Sequence, residues 1–185
     1  MIALRPATPD DAAAILGLYA PYVVTNAVSF ESSPPDLPTM RARIVEAGDT
    51  HPWIVAVDVE SDLVIGYAFA KPVRPGAAYR FAVETACYVA GELEGQGVRR
   101  TLYQALIATL TAQNYTQAIS TLTMPNDKAI QLHEAIGFRR AGVYREVVFK
   151  NGQWIDVGLW QRSLSEPRAV PEEPEGFASM GVVRG

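Results

Sequence analysis

Cysteine is nearly missing from this chain. The single thiol, Cys87, excludes an internal disulfide framework and a cysteine-based zinc site. Histidine is almost as scarce, and His51 and His133 are too few for most structural metal sites, so no metal is expected. Positive charge is not in excess either. Sixteen Lys and Arg against twenty Asp and Glu leave a formal net charge of −4, which offers no broad basic field to a nucleic acid backbone. No nucleic-acid partner is expected. The opening MIALRPATPDD lacks the basic-then-apolar layout of a secretory leader. Long apolar runs are missing too. Residues 12–30 are uncharged but broken by Pro21, Thr25, Asn26 and Ser29, and residues 101–126 carry Gln104, Gln113, Asn114 and Gln117, all costly in lipid. These absences predict a soluble protein of a reducing cytoplasm.

What the chain does have is enough apolar material for one core. Of its 185 residues, 49% are hydrophobic and 19% charged, the balance of a single globular domain. Composition shifts only from Ser165, where SEPRAVPEEPEGFASMGVVRG is rich in Pro, Glu and Gly without an apolar period. The domain is therefore expected over residues 1–164. Residues 165–185 read as a tail, docked through Phe177 or Met180 if it docks.

Within the domain strands and helices alternate. Residues 2–6 read as a strand, and Thr8 before Pro9, Asp10 and Asp11 as a helix start, with Ile15, Leu16 and Tyr19 as its apolar face. Asp36 opens a second helix through Met40 and Ile44 to about Gly48. Residues 53–59 and 63–70 form a hairpin, and 81–89 a further strand. Val98, Leu102, Leu106 and Leu110 recur every four residues, predicting a long helix to about Asn114. A strand over 118–123 precedes a helix over 126–136, stopped by Gly137. Strands over 142–150 and 153–161 flank an Asn151-Gly152 turn. The mixture predicts an α+β fold with a mixed sheet.

Two stretches stand out chemically. Gly95-Gln96-Gly97-Val98-Arg99-Arg100 lies between a strand and a long helix, where backbone N–H groups and the helix dipole favour an anion. It is neither a Walker loop nor a dinucleotide fingerprint, and taken alone it also reads as a glycine turn with two solvated arginines. In the second stretch Asn126 suits a helix cap, and His133 shares a face with apolar neighbours. A histidine there is a structural hydrogen bonder or a catalyst, and the pattern leaves both open.

Arg5-Pro6-Ala7-Thr8-x-x-Asp11, the Gly-x-Gly loop and Asn126-x-x-Ala129-x-x-Leu132-His133-x-x-x-Gly137-Phe138 resemble the GNAT superfamily of N-acetyltransferases. Further segments are similar to phosphinothricin N-acetyltransferases, including the subgroup linked to arsinothricin resistance. They are Tyr79-Arg80-x-x-Val83-Glu84-x-x-x-Tyr88-Val89, Tyr19-Ala20-Pro21, Ala27-x-Ser29-Phe30 and Phe149-Lys150-x-Gly152-x-Trp154-x-Asp156-Val157. The resemblance implies a splayed mixed sheet flanked by helices, with acetyl-CoA wedged between parallel strands over 81–89 and 118–123. The backbone of Cys87, Tyr88 and Val89 would pair with the pantetheine arm. The loop residues Gly95, Gln96, Gly97, Val98, Arg99 and Arg100 would hold the pyrophosphate, and Asn126 and His133 would line the thiol end. Such relatives are commonly homodimers. One departure stands in the loop, where Glu94 and Arg99 replace the usual first and last residues; Glu94 beside a diphosphate is unfavourable unless Arg99 or Arg100 compensates.

Acetyl transfer to an amine needs the neutral amine, and hence a base. Glu84 is the candidate, since it sits in the apolar strand AVETACYV and matches the base proposed in the family, and burial there would strengthen it as a base. Tyr88 shares its strand face. Cys87 is better read as a small core residue than as a nucleophile, because no base partners it. His133, or more weakly Tyr144, would serve as acid near the thiolate. Phe30, Arg74, Tyr79 and Arg80 are the substrate-binding candidates, the arginines as a clamp for anionic groups or as plain solvated charges. The implied activity is acetyl-CoA-dependent N-acetylation of the α-amine of a small amino-acid-like acceptor of the phosphinothricin, arsinothricin or methionine sulfoximine or sulfone type. Acetylation of a peptide N-terminus or a polyamine, and a CoA-binding sensor without turnover, remain as alternatives.

Overall fold

In the computed structural model, which describes residues 1–166 and 168–184, seven strands build one sheet. They are β1 (Ile2–Pro6), β2 (Trp53–Asp58), β3 (Leu63–Pro72), β4 (Ala82–Val89), β5 (Gln117–Met124), β6 (Arg139–Lys150) and β7 (Gln153–Ser163). Their order is β1-β2-β3-β4-β5-β7-β6, antiparallel throughout except between β4 and β5, which are parallel. Five helices flank it: α1 (Ala12–Val24), α2 (Leu37–Ala47), α3 (Val98–Ala112), α4 (Asp127–Ala135) and the short α5 (Phe177–Met180). The α+β reading with a mixed sheet holds.

Strand alternation decides which helix covers which face. In β2, Ile54 and Ala56 point into a core with Leu102, Leu106 and Leu110 of α3. Trp53, Val55 and Val57 point the other way, against Ile15 and Val23 of α1 and Met40 and Ile44 of α2. The four-residue period in α3 is thus its buried face. Asp36 caps α2 by accepting from the Thr39 amide at 2.9 Å.

The starts of two elements differ most from the sequence reading. The helix expected from Thr8 begins instead with a 3₁₀ turn over Pro9–Asp11, and α1 starts at Ala12. Asp11 is turned back to accept from the Thr8 amide at 2.7 Å and from Arg5 at 2.7 and 2.8 Å. Strand β6 starts at Arg139, ahead of the expected 142, and its register shifts twice against β7, so alternation is blurred there.

Beyond Ser165, Phe177 is buried in the α3-side core, while Met180 is only partly covered. Burying a phenylalanine contributes about 1.5–3 kcal/mol. The Gln113 side chain, fully buried at the end of α3, donates to the carbonyls of Thr50 and Glu175 at 2.9 and 2.7 Å.

Candidate active site

β4 and β5 stay together for three pairs only: Ala82, Val83 and Glu84 against Gln117, Ala118 and Ile119. Past these the two strands part, while each keeps its outer partner, β4 pairing β3 through Val89 and β5 pairing β7 through Met124. The facing edges of residues 85–89 and 120–124 therefore open onto a cleft, and backbone groups along such edges seek a partner. Side chains pin the fork: Thr85 Oγ1 donates to the Ile119 carbonyl at 3.3 Å and lies 3.1 Å from Ser120 Oγ.

The cleft has a volume of about 760 Å³. Cys87, Tyr88, Val89, Gly95, Gly97, Arg99, Arg100, Asn126 and His133 all line it. Gln96 and Val98 do not. Gln96 Nε2 turns back to the Glu92 carbonyl at 3.3 Å, and Val98 is buried in the core. Gly95 and Gly97 have φ of +89° and +84°, the left-handed region where a side chain is strained. A Cβ on either would meet nothing within 4 Å, so the space beyond the loop is open. Gly97 caps α3, whose first turn offers free amides and the positive end of its dipole to that space. An anion fits there.

Arg99 answers Glu94. Its Nη2 lies 3.2 Å from Glu94 Oε1 and donates to the Tyr22 hydroxyl at 3.1 Å, which donates in turn to the Val89 carbonyl at 2.7 Å. Arg99 Nε is buried with no partner among the described residues, a donor suited to a further acceptor in the cleft.

His133 is buried at the fork. Its Nδ1 is 2.7 Å from the Ala129 carbonyl and its Nε2 is 3.0 Å from the Tyr103 hydroxyl and 2.9 Å from Ser120 Oγ. Burial pushes its pKa down to about 4, so the ring is neutral near pH 7. A neutral ring beside a carbonyl donates from Nδ1, which leaves Nε2 as an acceptor for the two hydroxyls. In this arrangement His133 positions Tyr103 and Ser120. Asn126 caps α4, its Oδ1 accepting from the Ala129 amide at 3.2 Å, while also lining the cleft. Burial pushes the Cys87 thiol up to about 12, so it is not a thiolate at neutral pH.

A second cavity, about 640 Å³, opens on the α1–α2 face. It shares Val28, Thr85, Ala86, Tyr88 and Thr121 with the cleft, so the two meet over the middle of β4. Trp53 and Phe69 stack at 4.5 Å and Tyr67 and Tyr88 at 5.5 Å along its floor. Glu84 lies in its wall and Phe30 at its exposed rim. The apolar strand around Glu84 suggests an apolar setting; the structure corrects this. Its carboxylate accepts from Thr121 Oγ1 at 2.9 Å and lies 3.6 Å from Lys71 Nζ, with 23% of the side chain exposed. Neighbouring strands, not its own, set its surroundings.

Arg74, Tyr79 and Arg80 are not brought to Glu84. They line a third cavity of about 400 Å³, where Arg80 donates from Nε and Nη2 to the Glu173 carboxylate, both at 2.7 Å. That cavity shares Thr50, His51 and Pro72 with the Glu84 cavity. Tyr144 is half-exposed on β6 and lines neither the cleft nor the Glu84 cavity. Among the described residues no group of three or more His, Cys, Asp or Glu is placed to hold a metal ion, and no helix is long and apolar enough to cross a membrane.

Tyr103, Ser120, Thr121 and Lys71 are site residues that sequence reasoning missed. Tyr103 carried one signal: it sits beside Leu102 on the buried face of α3, where a phenol needs a partner for its hydroxyl.

A sheet forked between two parallel strands, with a glycine loop and helix start at its mouth, defines an acyl-transfer fold. Residues 4–159 match the acetyltransferase (GNAT) domain, and the chain belongs to that family of acetyltransferases. It is 42% identical over 165 residues to a phosphinothricin N-acetyltransferase of Alcaligenes faecalis, covering 88% of this chain and 82% of that one. It is 34% identical over 173 residues to a phosphinothricin N-acetyltransferase of Streptomyces viridochromogenes, covering 94% and 92%. The crystal structure of a GNAT superfamily phosphinothricin acetyltransferase from Sinorhizobium meliloti in complex with AcCoA superposes with a TM-score of 0.88 at 34% identity, covering 93% of this chain and 94% of that one.

Proposed function

We propose that this enzyme transfers the acetyl group of acetyl-CoA directly to the α-amine of a small amino-acid-like acceptor of the phosphinothricin, arsinothricin or methionine sulfoximine type. One observation carries the reading: the cleft and the Glu84 cavity share a wall at Thr85, Ala86 and Tyr88, so donor and acceptor meet over one strand. The open strand edges suit the amide-bearing pantetheine arm as an added strand. The loop over 95–100 and the start of α3 suit its diphosphate, with Arg99 already neutralising Glu94. Acetyl-CoA supplies the activated acetyl group; the chain supplies the base and the positioning. Glu84 takes the proton from the acceptor's ammonium, and His133 holds the hydroxyls of Tyr103 and Ser120 at the fork. Phe30 closes over the acceptor, and its distal anionic group extends past Pro72 toward Arg74 in the adjoining cavity.

Release of CoA thiol, followed with a panel of amines, tests the reading. Turnover is expected with phosphinothricin-like amino acids. Turnover confined to polyamines or peptide N-termini would replace the acceptor assignment, and CoA binding without release from any amine would make the chain a sensor.

We further propose that the enzyme works in the cytoplasm as a homodimer. Val147, Phe149 and Trp154 are more than half exposed on the outer β6–β7 hairpin, an apolar patch that a second copy would cover. Sedimentation equilibrium of the parent and of a Phe149→Glu variant tests this; a monomeric parent would refute it.

A further inference from the structure

Strand β3 ends in Phe69-Ala70-Lys71-Pro72, a lone lysine after an aromatic and apolar run. Lys71 stands directly opposite Glu84 in the antiparallel β3–β4 register, so both side chains leave the sheet on one face. Both line the acceptor cavity. The 3.6 Å between Lys71 Nζ and Glu84 Oε2 is longer than the ~2.7–2.9 Å of a close charge-assisted hydrogen bond. Thr121 holds the other oxygen of Glu84. Lys71 keeps 55% of its side chain exposed and has three N–H donors to offer.

The other charges in the cavity wall do not compete for this place. Arg43, the second permanent cation, donates to Glu31 at 2.5 Å. His51 is desolvated, which disfavours its charged form, and its Nδ1 is 2.8 Å from Thr50 Oγ1. Glu46 carries the wrong sign for an anion.

We propose that Lys71 is the carboxylate-binding residue of the acceptor cavity, and that the Lys71–Glu84 pair together recognises the zwitterionic head of an α-amino acid. This rests on the reading of Glu84 as the group that meets the amine. In an α-amino acid the ammonium and the carboxylate hang from one carbon. Set against the pair, the ammonium faces Glu84 and the carboxylate faces Lys71, so each charge meets its opposite. An amine without the carboxylate leaves Lys71 on Glu84, where it competes for the oxygen that must accept the proton. The acceptor's carboxylate therefore binds and, by drawing Lys71 aside, frees the base. Recognition of this kind discriminates strongly, because a missing partner leaves a charged group unpaired in the site.

The test compares kcat/KM for phosphinothricin with that for the amine left when its α-carboxylate is removed. The parent should prefer the amino acid, and Lys71→Met should shrink that preference by about 10- to 100-fold, with Lys71→Arg retaining most of it. The KM for acetyl-CoA reports that each variant is folded. The phosphinothricin α-methyl ester supplies a second measurement: esterification should cost the parent what Lys71→Met costs with the free acid, and should cost the variant little more. A parent that prefers the amino acid and a Lys71→Met variant that keeps the full preference would overturn the proposal alone. A parent with no preference would overturn both the proposal and the acceptor reading.

Discussion

His133 Nε2 sits between the Tyr103 and Ser120 hydroxyls at 3.0 and 2.9 Å, an acceptor shared by a helix and a strand across the fork of the sheet. This arrangement needs the neutral ring. Burial supplies it by holding the pKa near 4. The unfolded imidazole titrates near 6.5, so as pH falls the unfolded chain takes up a proton before the folded one. The stability His133 provides is therefore complete above about pH 6.5, declines as the pH drops toward about 4, and changes no further below that. The loss amounts to about 3 kcal/mol. Urea midpoints at pH 7 and pH 5 should differ more in the parent than in His133→Asn, and equal differences would refute the account.

Glu84→Gln keeps the hydrogen bond from Thr121 but cannot take a proton. Turnover should fall by about 10²–10⁴-fold at neutral pH with the KM for acetyl-CoA unchanged. Raising the pH should restore part of the rate, since more acceptor amine is then neutral in solution. Near-parent turnover across about pH 6–9 would move the base elsewhere.

Removing Arg99 should matter twice, once for the lost cation and once for the Glu94 carboxylate left bare beside the loop. Arg99→Gln should raise the KM for acetyl-CoA by about 10-fold. Adding Glu94→Gln should recover part of that loss, and a double variant no better than Arg99→Gln would mean that the pair is uncoupled.

Phe177 is 4% exposed and packs into the α3-side core. Phe177→Ala should cost about 3–5 kcal/mol of folding stability, read from chemical denaturation, whereas loosening the exposed Arg80–Glu173 pair should cost little. A small effect at Phe177 would make the tail an independent appendage.

Much of this fold could be read residue by residue. Val98, Leu102, Leu106 and Leu110 repeat with the helix period and are all buried in α3. Asn151-Gly152 marks the β6–β7 turn, and Asn126 caps α4 as its side chain suggests. These signals act within a few positions of chain. The site is different because its contacts cross the sheet. Lys71 reaches Glu84 only through the β3–β4 register, and Glu173 reaches Arg80 only after the tail has crossed the end of α3. Periodicity says that Glu84 and Tyr88 share a face but not which charges stand beside them. For the same reason Arg74 and Arg80 look like a clamp in the sequence and fall into a neighbouring cavity in the fold.

The three-pair joint between β4 and β5 also has a kinetic consequence. Strands β2 and β3 each pair with the next strand in the chain, as β6 does with β7, so each side of the fork can form from contacts of modest loop length. The β4–β5 pairing instead spans the intervening α3 and is expected to follow that helix's folding and packing. The groove between them is thus expected to assemble last during folding and to open first on unfolding. Val83→Ala, at the centre of the joint, should accelerate unfolding far more than it slows refolding in a stopped-flow chevron. The opposite partition would place the joint in the folding nucleus.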